Sequence, residues 1–88
     1  MAQMTIRATN STFESVSTGE YEHVDYAYRA GLKAALEIAR SEIEGGANSV
    51  IIEVAVDLED RRYAARGALA ISTAPMFAPV EPSATASA

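Results

Sequence analysis

His23 is the only histidine in a chain of 88 residues that has no cysteine and no tryptophan. Glu20, Glu22 and Asp25 stand close to it in sequence. A histidine beside carboxylates could serve as a general base, provided an acid lies within hydrogen-bond reach to orient the ring. Residues one or two apart on a helix do not face each other, so neither Glu22 nor Asp25 orients His23 if the helix has begun there. The same four side chains form an oxygen-rich set that could attract a cation. They lack the ligand spacing and the glycine of a calcium loop, and they offer zinc a single nitrogen. The reading they favour is an acidic helix start, where the helix dipole stabilises anions.

Arg61, Arg62 and Arg66 make the one local basic cluster, a place where a phosphate or nucleotide could dock. Asp57, Glu59 and Asp60 offset it, which favours cross-strand ion pairing instead. Tyr21, Tyr26 and Tyr28 cluster near the helix start, with Tyr28 on the apolar stripe and Tyr26 pointing away from it as a possible contact residue. Gly45-Gly46 and Gly67 match no phosphate-cradling motif. No serine or threonine stands in an arrangement with His23 and an acid that suggests a triad. The expectation is therefore a protein that is not an enzyme, with no catalytic residue, no metal site and no cofactor.

Seven bases against twelve acids give a net charge of −5. That argues against nucleic acid and anionic membrane as partners, because phosphate binding needs a basic face. No apolar run approaches the roughly 20 residues of a membrane span. The start, Met1 to Arg7, lacks a basic region followed by an apolar stretch, so the expected location is cytoplasmic. Hydrophobic residues make up 49%, yet 18 residues of the chain are alanine. Burial stabilises by area, at roughly 25 cal/mol per Å², and alanine brings little area. A small domain with so thin a core is expected to gain from self-association.

The elements that must carry these residues follow from periodicity. Met4 to Thr9 alternates, with Met4, Ile6 and Ala8 on one face, and reads as a half-buried strand. Thr12 to Ser17 reads as a second. Asn10-Ser11 between them suits a tight hairpin that sets Ala8 opposite Phe13 and Arg7 opposite Glu14. Val16 then falls on the outer face, unless a bulge returns it to the core. Ser17-Thr18-Gly19 interrupts the alternation. From about His23 to Glu44 the period is helical. At about 100° per residue, Val24, Tyr28, Leu32, Ala35, Leu36, Ala39 and Ile43 fall within an arc of roughly 120°, with Gly31 and Ile38 beside it. Lys33–Glu37 and Arg40–Glu44 have i,i+4 spacing on the opposite side. Gly45-Gly46 stops the helix.

Ser49 to Leu58 is the clearest strand, with Val50, Ile52, Val54, Val56 and Leu58 on one face. After a turn at Glu59-Asp60, or one extended through Arg61-Arg62, Tyr63, Ala65, Gly67, Leu69 and Ile71 alternate with Ala64, Arg66, Ala68, Ala70 and Ser72. A two-residue loop sets Asp57 opposite Arg62, Glu53 opposite Arg66 and Val56 opposite Tyr63. A four-residue loop keeps the faces and slides the pairs. Residues 1–74 are thus expected to form one α+β domain of order β-β-α-β-β, a helix packed on a four-stranded, mainly antiparallel sheet. Residues 75–88, rich in Pro, Ala and Ser, are expected to be disordered. The sheet face away from the helix carries Ile51, Ala55, Ala64, Ala68 and Ala70. Their small side chains make a flat surface that another sheet or helix could cover, and they are the expected interface.

Glu20-Tyr21, the run Ala27 to Ala39, Glu42-Ile43-Glu44-Gly45-Gly46 and a closing hairpin of the Val-x-Val-x-Asp kind resemble a group of short uncharacterised proteins of alphaproteobacterial type. That resemblance covers about residues 4–76 and implies a strand region, one Ala-rich helix and a hairpin, with no active residue to carry over. The strand–helix–hairpin order of Met4–Ile71 is also similar to dodecin, which implies a hollow oligomer that binds flavins between aromatic residues of the hairpin sheet. This chain has Tyr63 as its only hairpin aromatic and an additional strand, so no binding residue is carried over. The functional expectation is a self-associating or protein-binding domain without enzymatic activity, a homo-oligomer or the partner of another protein. The alternative is an oligomeric binder of a flavin- or nucleotide-type ligand.

Overall fold

The computed structural model describes residues 1–74, and the tail expected at 75–88 lies outside the described residues. Strands β1 (Ala2–Thr9) and β2 (Glu14–Tyr21) precede the helix α1 (Val24–Glu44), and β3 (Ser49–Leu58) and β4 (Arg61–Ser72) follow it. The strands form one sheet in the order β2-β1-β3-β4, with every neighbouring pair antiparallel. β1 and β3 are the central strands, and α1 passes over β1 to connect β2 with β3.

The core lies between α1 and one face of the sheet. Met4, Ile6 and Ala8 from β1 and Val50, Ile52, Val54 and Val56 from β3 are buried there. The helix meets them with a line of small residues at i, i+4, i+8 and i+12: Ala27, Gly31, Ala35 and Ala39 are its buried positions. Tyr28, Leu32, Ile38 and Ile43 flank that line and are partly buried against the core. The contact is rotated from the arc that side-chain bulk suggests. Leu36, expected on the stripe, is 50% exposed. The helix approaches most closely where side chains are shortest, so the larger ones wedge in on either side. At Gly31 a Cβ would lie 2.5 Å from Val54 Cγ1 and 2.9 Å from Ile6 Cγ2, which leaves no room for alanine.

His23 sits at the N-cap with extended backbone, and its carbonyl accepts from the N–H of Tyr26 and of Ala27. At the other end the N–H of Gly46 donates to Ile43 O and that of Ala47 to Glu42 O, each at 3.0 Å. Gly46 has φ +110°. This is the Schellman arrangement, and it explains why the Gly pair ends the helix. Asp25–Arg29 and Arg40–Glu44 form exposed ion pairs along the helix. Lys33–Glu37 is not among the ion pairs of the described residues.

The first hairpin differs from the expected one. The loop holds four residues, Asn10 to Phe13, and Thr9 pairs with Glu14, Ala8 with Ser15 and Arg7 with Val16. Asn10 is the cause. Its Oδ1 accepts from the N–H of Thr12 at 2.8 Å and of Phe13 at 2.6 Å, and its own N–H donates to Phe13 O at 2.9 Å. The wider loop places Phe13 outside the strand and Arg7 away from Glu14. The interruption expected at Ser17-Thr18-Gly19 is absent: β2 runs through it to Tyr21, held by a continuous ladder to β1. Polar side chains suffice there because β2 is an edge strand.

The second hairpin combines the two registers that the sequence leaves open. Leu58 pairs with Arg61 across a two-residue turn, whereas Val56 pairs with Ala65 and Glu53 with Ala68. Between those pairs Arg62, Tyr63 and Ala64 lie opposite Asp57 alone. The two additional residues form a bulge, and Tyr63 within it has φ 57°. The bulge moves Tyr63 off the helix face, so it does not meet Val56.

Candidate functional site on the open face of the sheet

The face opposite the helix has no second layer among the described residues. Strand alternation and register place Val16, Arg7, Ala55 and Arg66 in one row across all four strands. The adjacent row is Glu14, Thr9, Glu53 and Ala68, and beyond it Ile51 pairs with Ala70. On the other side of the first row, Thr18, Thr5 and Asp57 are aligned.

Asp57 organises one half of this face. It accepts from Arg7 Nη2 at 3.2 Å on Oδ1 and 3.0 Å on Oδ2, and from the backbone N–H of Tyr63 at 2.8 Å. The Arg7 and Asp57 side chains retain 20% and 17% of their exposure. The Tyr63 N–H, then the Arg7 charge, hold the Asp57 carboxyl below its ordinary value, against the opposing effect of burial. The same N–H bond anchors the left-handed backbone of Tyr63, a conformation disfavoured for a residue with a Cβ. The Tyr63 ring faces three guanidinium groups, with Arg7 and Arg62 at 5.3 Å and Arg66 at 4.9 Å from its centroid. Arg66 also lies 3.8 Å from Glu53, a diagonal neighbour across β3 and β4.

The other half carries a small apolar patch beside exposed Glu53. Ile51, the third residue of β3, is 66% exposed, and Ala68 and Ala70 beside it are exposed. Of the five residues expected at an interface, these three form one accessible patch. Ala64 is half-buried within the bulge. Ala55 is only 7% exposed, because its partners in the row are Arg7 and Arg66, whose long side chains flank it on both sides. The accessible apolar residues here are therefore Ile51, Ala68 and Ala70, with Val16 and Tyr63 as further exposed apolar groups on the face.

Sequence reasoning missed the Arg7–Asp57–Tyr63 cluster. Alternation puts Arg7 and Asp57 on outer faces of their strands, but their meeting depends on β1 lying beside β3, which no local pattern specifies. The bulge is equally silent, since Tyr63 is not a residue type that advertises positive φ.

The residues at the helix start do not converge. His23 is exposed, makes no side-chain capping bond and packs edge-on against Tyr26 at 5.4 Å between centroids. Among the described residues no group of three or more His, Cys, Asp or Glu side chains could hold a metal ion, and no helix is long and apolar enough to cross a membrane. Comparison of the chain with protein-family models, with curated proteins and with solved structures gives no match.

Proposed function

We propose that this chain is a small self-associating domain without enzymatic activity, acting in the cytoplasm, and that the open face of its sheet is the contact surface. The observation that carries this reading is Ile51, a large side chain 66% exposed within β3, flanked by exposed Ala68 and Ala70 on a face without a covering layer among the described residues. The short side chains of Ala68 and Ala70 permit close approach of a second layer to Ile51, and apolar area removed from water stabilises by roughly 25 cal/mol per Å². The composition of the core supports the same reading. The helix contributes Ala27, Gly31, Ala35 and Ala39 as its buried positions, so the single interface of this two-layer fold is poor in side-chain volume. Light scattering after size-exclusion chromatography tests the proposal. A defined oligomer at micromolar concentration is the expected result, and a cooperatively melting monomer overturns it.

One observation favours a second reading, a binder of an anionic aromatic ligand of flavin or nucleotide type. The Tyr63 ring and the guanidinium groups of Arg7, Arg62 and Arg66 combine a stacking surface with positive charge. A rise in melting temperature with flavin mononucleotide or a nucleotide, lost in Arg62→Ala, is the result that supports this reading. No shift across such ligands removes it.

A further inference from the structure

We propose that two copies of this chain join edge to edge through β4, making one continuous eight-stranded sheet. The proposal rests on the self-association reading and adds to the open face a second contact, the sheet edge beside it. β4 is an edge strand of 12 residues, longer than its neighbour β3 with 10. The N–H of Thr73 donates to Asn48 O at 2.8 Å, continuing the β3–β4 register. In an antiparallel ladder the bonded pairs alternate. Thr73, Ile71, Leu69 and Gly67 therefore direct their backbone groups towards β3, and Ser72, Ala70, Ala68 and Arg66 direct theirs to the open edge. Unpaired edge groups are a template for another strand unless charge, proline or a bulge protects them. From Gly67 to Ser72 there is none of these: the bulge lies earlier, at Arg62–Ala64, and the segment carries no charge.

The other edge is unsuited to the same pairing. Two β2 strands paired symmetrically about Ser17 would set Glu14 of each copy opposite Glu20 of the other, and like charges directly opposite destabilise a sheet. Two β4 strands paired about Leu69 set Ala68 opposite Ala70 and Arg66 opposite Ser72. No like charges meet, although each copy carries a net charge of −5. The two-fold arrangement is closed, so it makes a pair and not a fibre. It also brings Ala68 and Ala70 of both copies together, so the apolar patches next to Ile51 merge across the seam.

The test uses the full chain. The expected result is a dimer in which the amides of Ala68, Ala70 and Ser72 exchange slowly with solvent and lose that protection on dilution. Ala70→Pro removes an N–H that β3 does not use and should weaken association by about a hundredfold with the circular dichroism unchanged. If that variant does not fold, Leu69→Cys supplies the only thiol of the chain. Paired about Leu69, its two copies have Cα atoms about 4.5 Å apart, within disulfide reach, and should cross-link under mild oxidation. A dimer whose edge amides exchange freely and whose thiols stay apart overturns the edge pairing and leaves self-association standing. A monomer with unprotected edge amides overturns both. Protection that persists in a monomer assigns the edge to the chain's own residues and also overturns the proposal.

Discussion

Asp57 receives two hydrogen bonds from Arg7 and one from the Tyr63 backbone, so its charge is worth more in the fold than in the unfolded chain. Charge-assisted hydrogen bonds contribute about 1.5–3 kcal/mol, and stranding a donor adds to the loss. Asp57→Ala should lower the unfolding free energy by about 2 kcal/mol, measured by urea denaturation at neutral pH. Asp57→Asn keeps an acceptor for the Tyr63 N–H and should cost less. The carboxyl is held below its ordinary value of 3.8 in the fold. Its contribution is therefore complete above that value and is lost as pH falls towards the depressed one. Denaturation midpoints taken from about pH 6 to about pH 2 should fall less steeply at the acid end in Asp57→Asn than in the parent. An unchanged slope would show that other carboxylates dominate acid unfolding. Individual residues were the least legible scale in the sequence. Arg7 is 50 positions from Asp57, and only the strand order brings them together. By contrast, Met4, Ile6, Ala8, Val50, Ile52, Val54 and Val56 all face the core as their alternation indicates.

At the scale of elements, the helix and the second hairpin show which signals are local. Gly45-Gly46 marks the helix end because the stop depends on backbone conformation within a few residues. Gly46→Ala meets no side chain, so its cost is that of placing a Cβ at positive φ, about 1–2 kcal/mol, to be read as a lower melting temperature. Gly31→Ala tests the opposite case. Helix propensity would gain about 1 kcal/mol, but the added methyl has to displace Val54 and Ile6, and overpacking costs about 1–3 kcal/mol. A net loss of stability is expected, and a net gain would mean that α1 can lift from the sheet without penalty. The face that α1 turns to the sheet differs from the bulk-weighted arc for a physical reason. An arc weighted by bulk points at Leu32 and Leu36, whereas close packing centres on Gly31 and Ala35. In the first hairpin, Asn10 signals a turn correctly, but its side chain caps Thr12 and Phe13 and so sets a four-residue loop. In the second, the turn and the later register are each one of the expected alternatives, joined by a bulge.

For the molecule as a whole, the α+β class and the β-β-α-β-β order were legible because each element has its own period and its own punctuation. The role of the outer face was not, since alternation identifies a second face without saying what meets it. Ile51→Glu should shift the assembly towards monomer by at least about tenfold in dissociation constant, while leaving the far-ultraviolet circular dichroism of the fold in place. An oligomer insensitive to Ile51→Glu would move the contact surface away from this patch.

The helix that strides over β1 also sets how the chain can reach this shape. Each hairpin is local and closes within microseconds. The seam between β1 and β3 joins residues as far apart as Arg7 and Asp57 and cannot zip until the helix has folded back. Refolding should therefore be limited by the meeting of two preformed halves, and alterations along Thr5, Arg7 and Asp57 should slow it more than equal losses of stability at either hairpin tip.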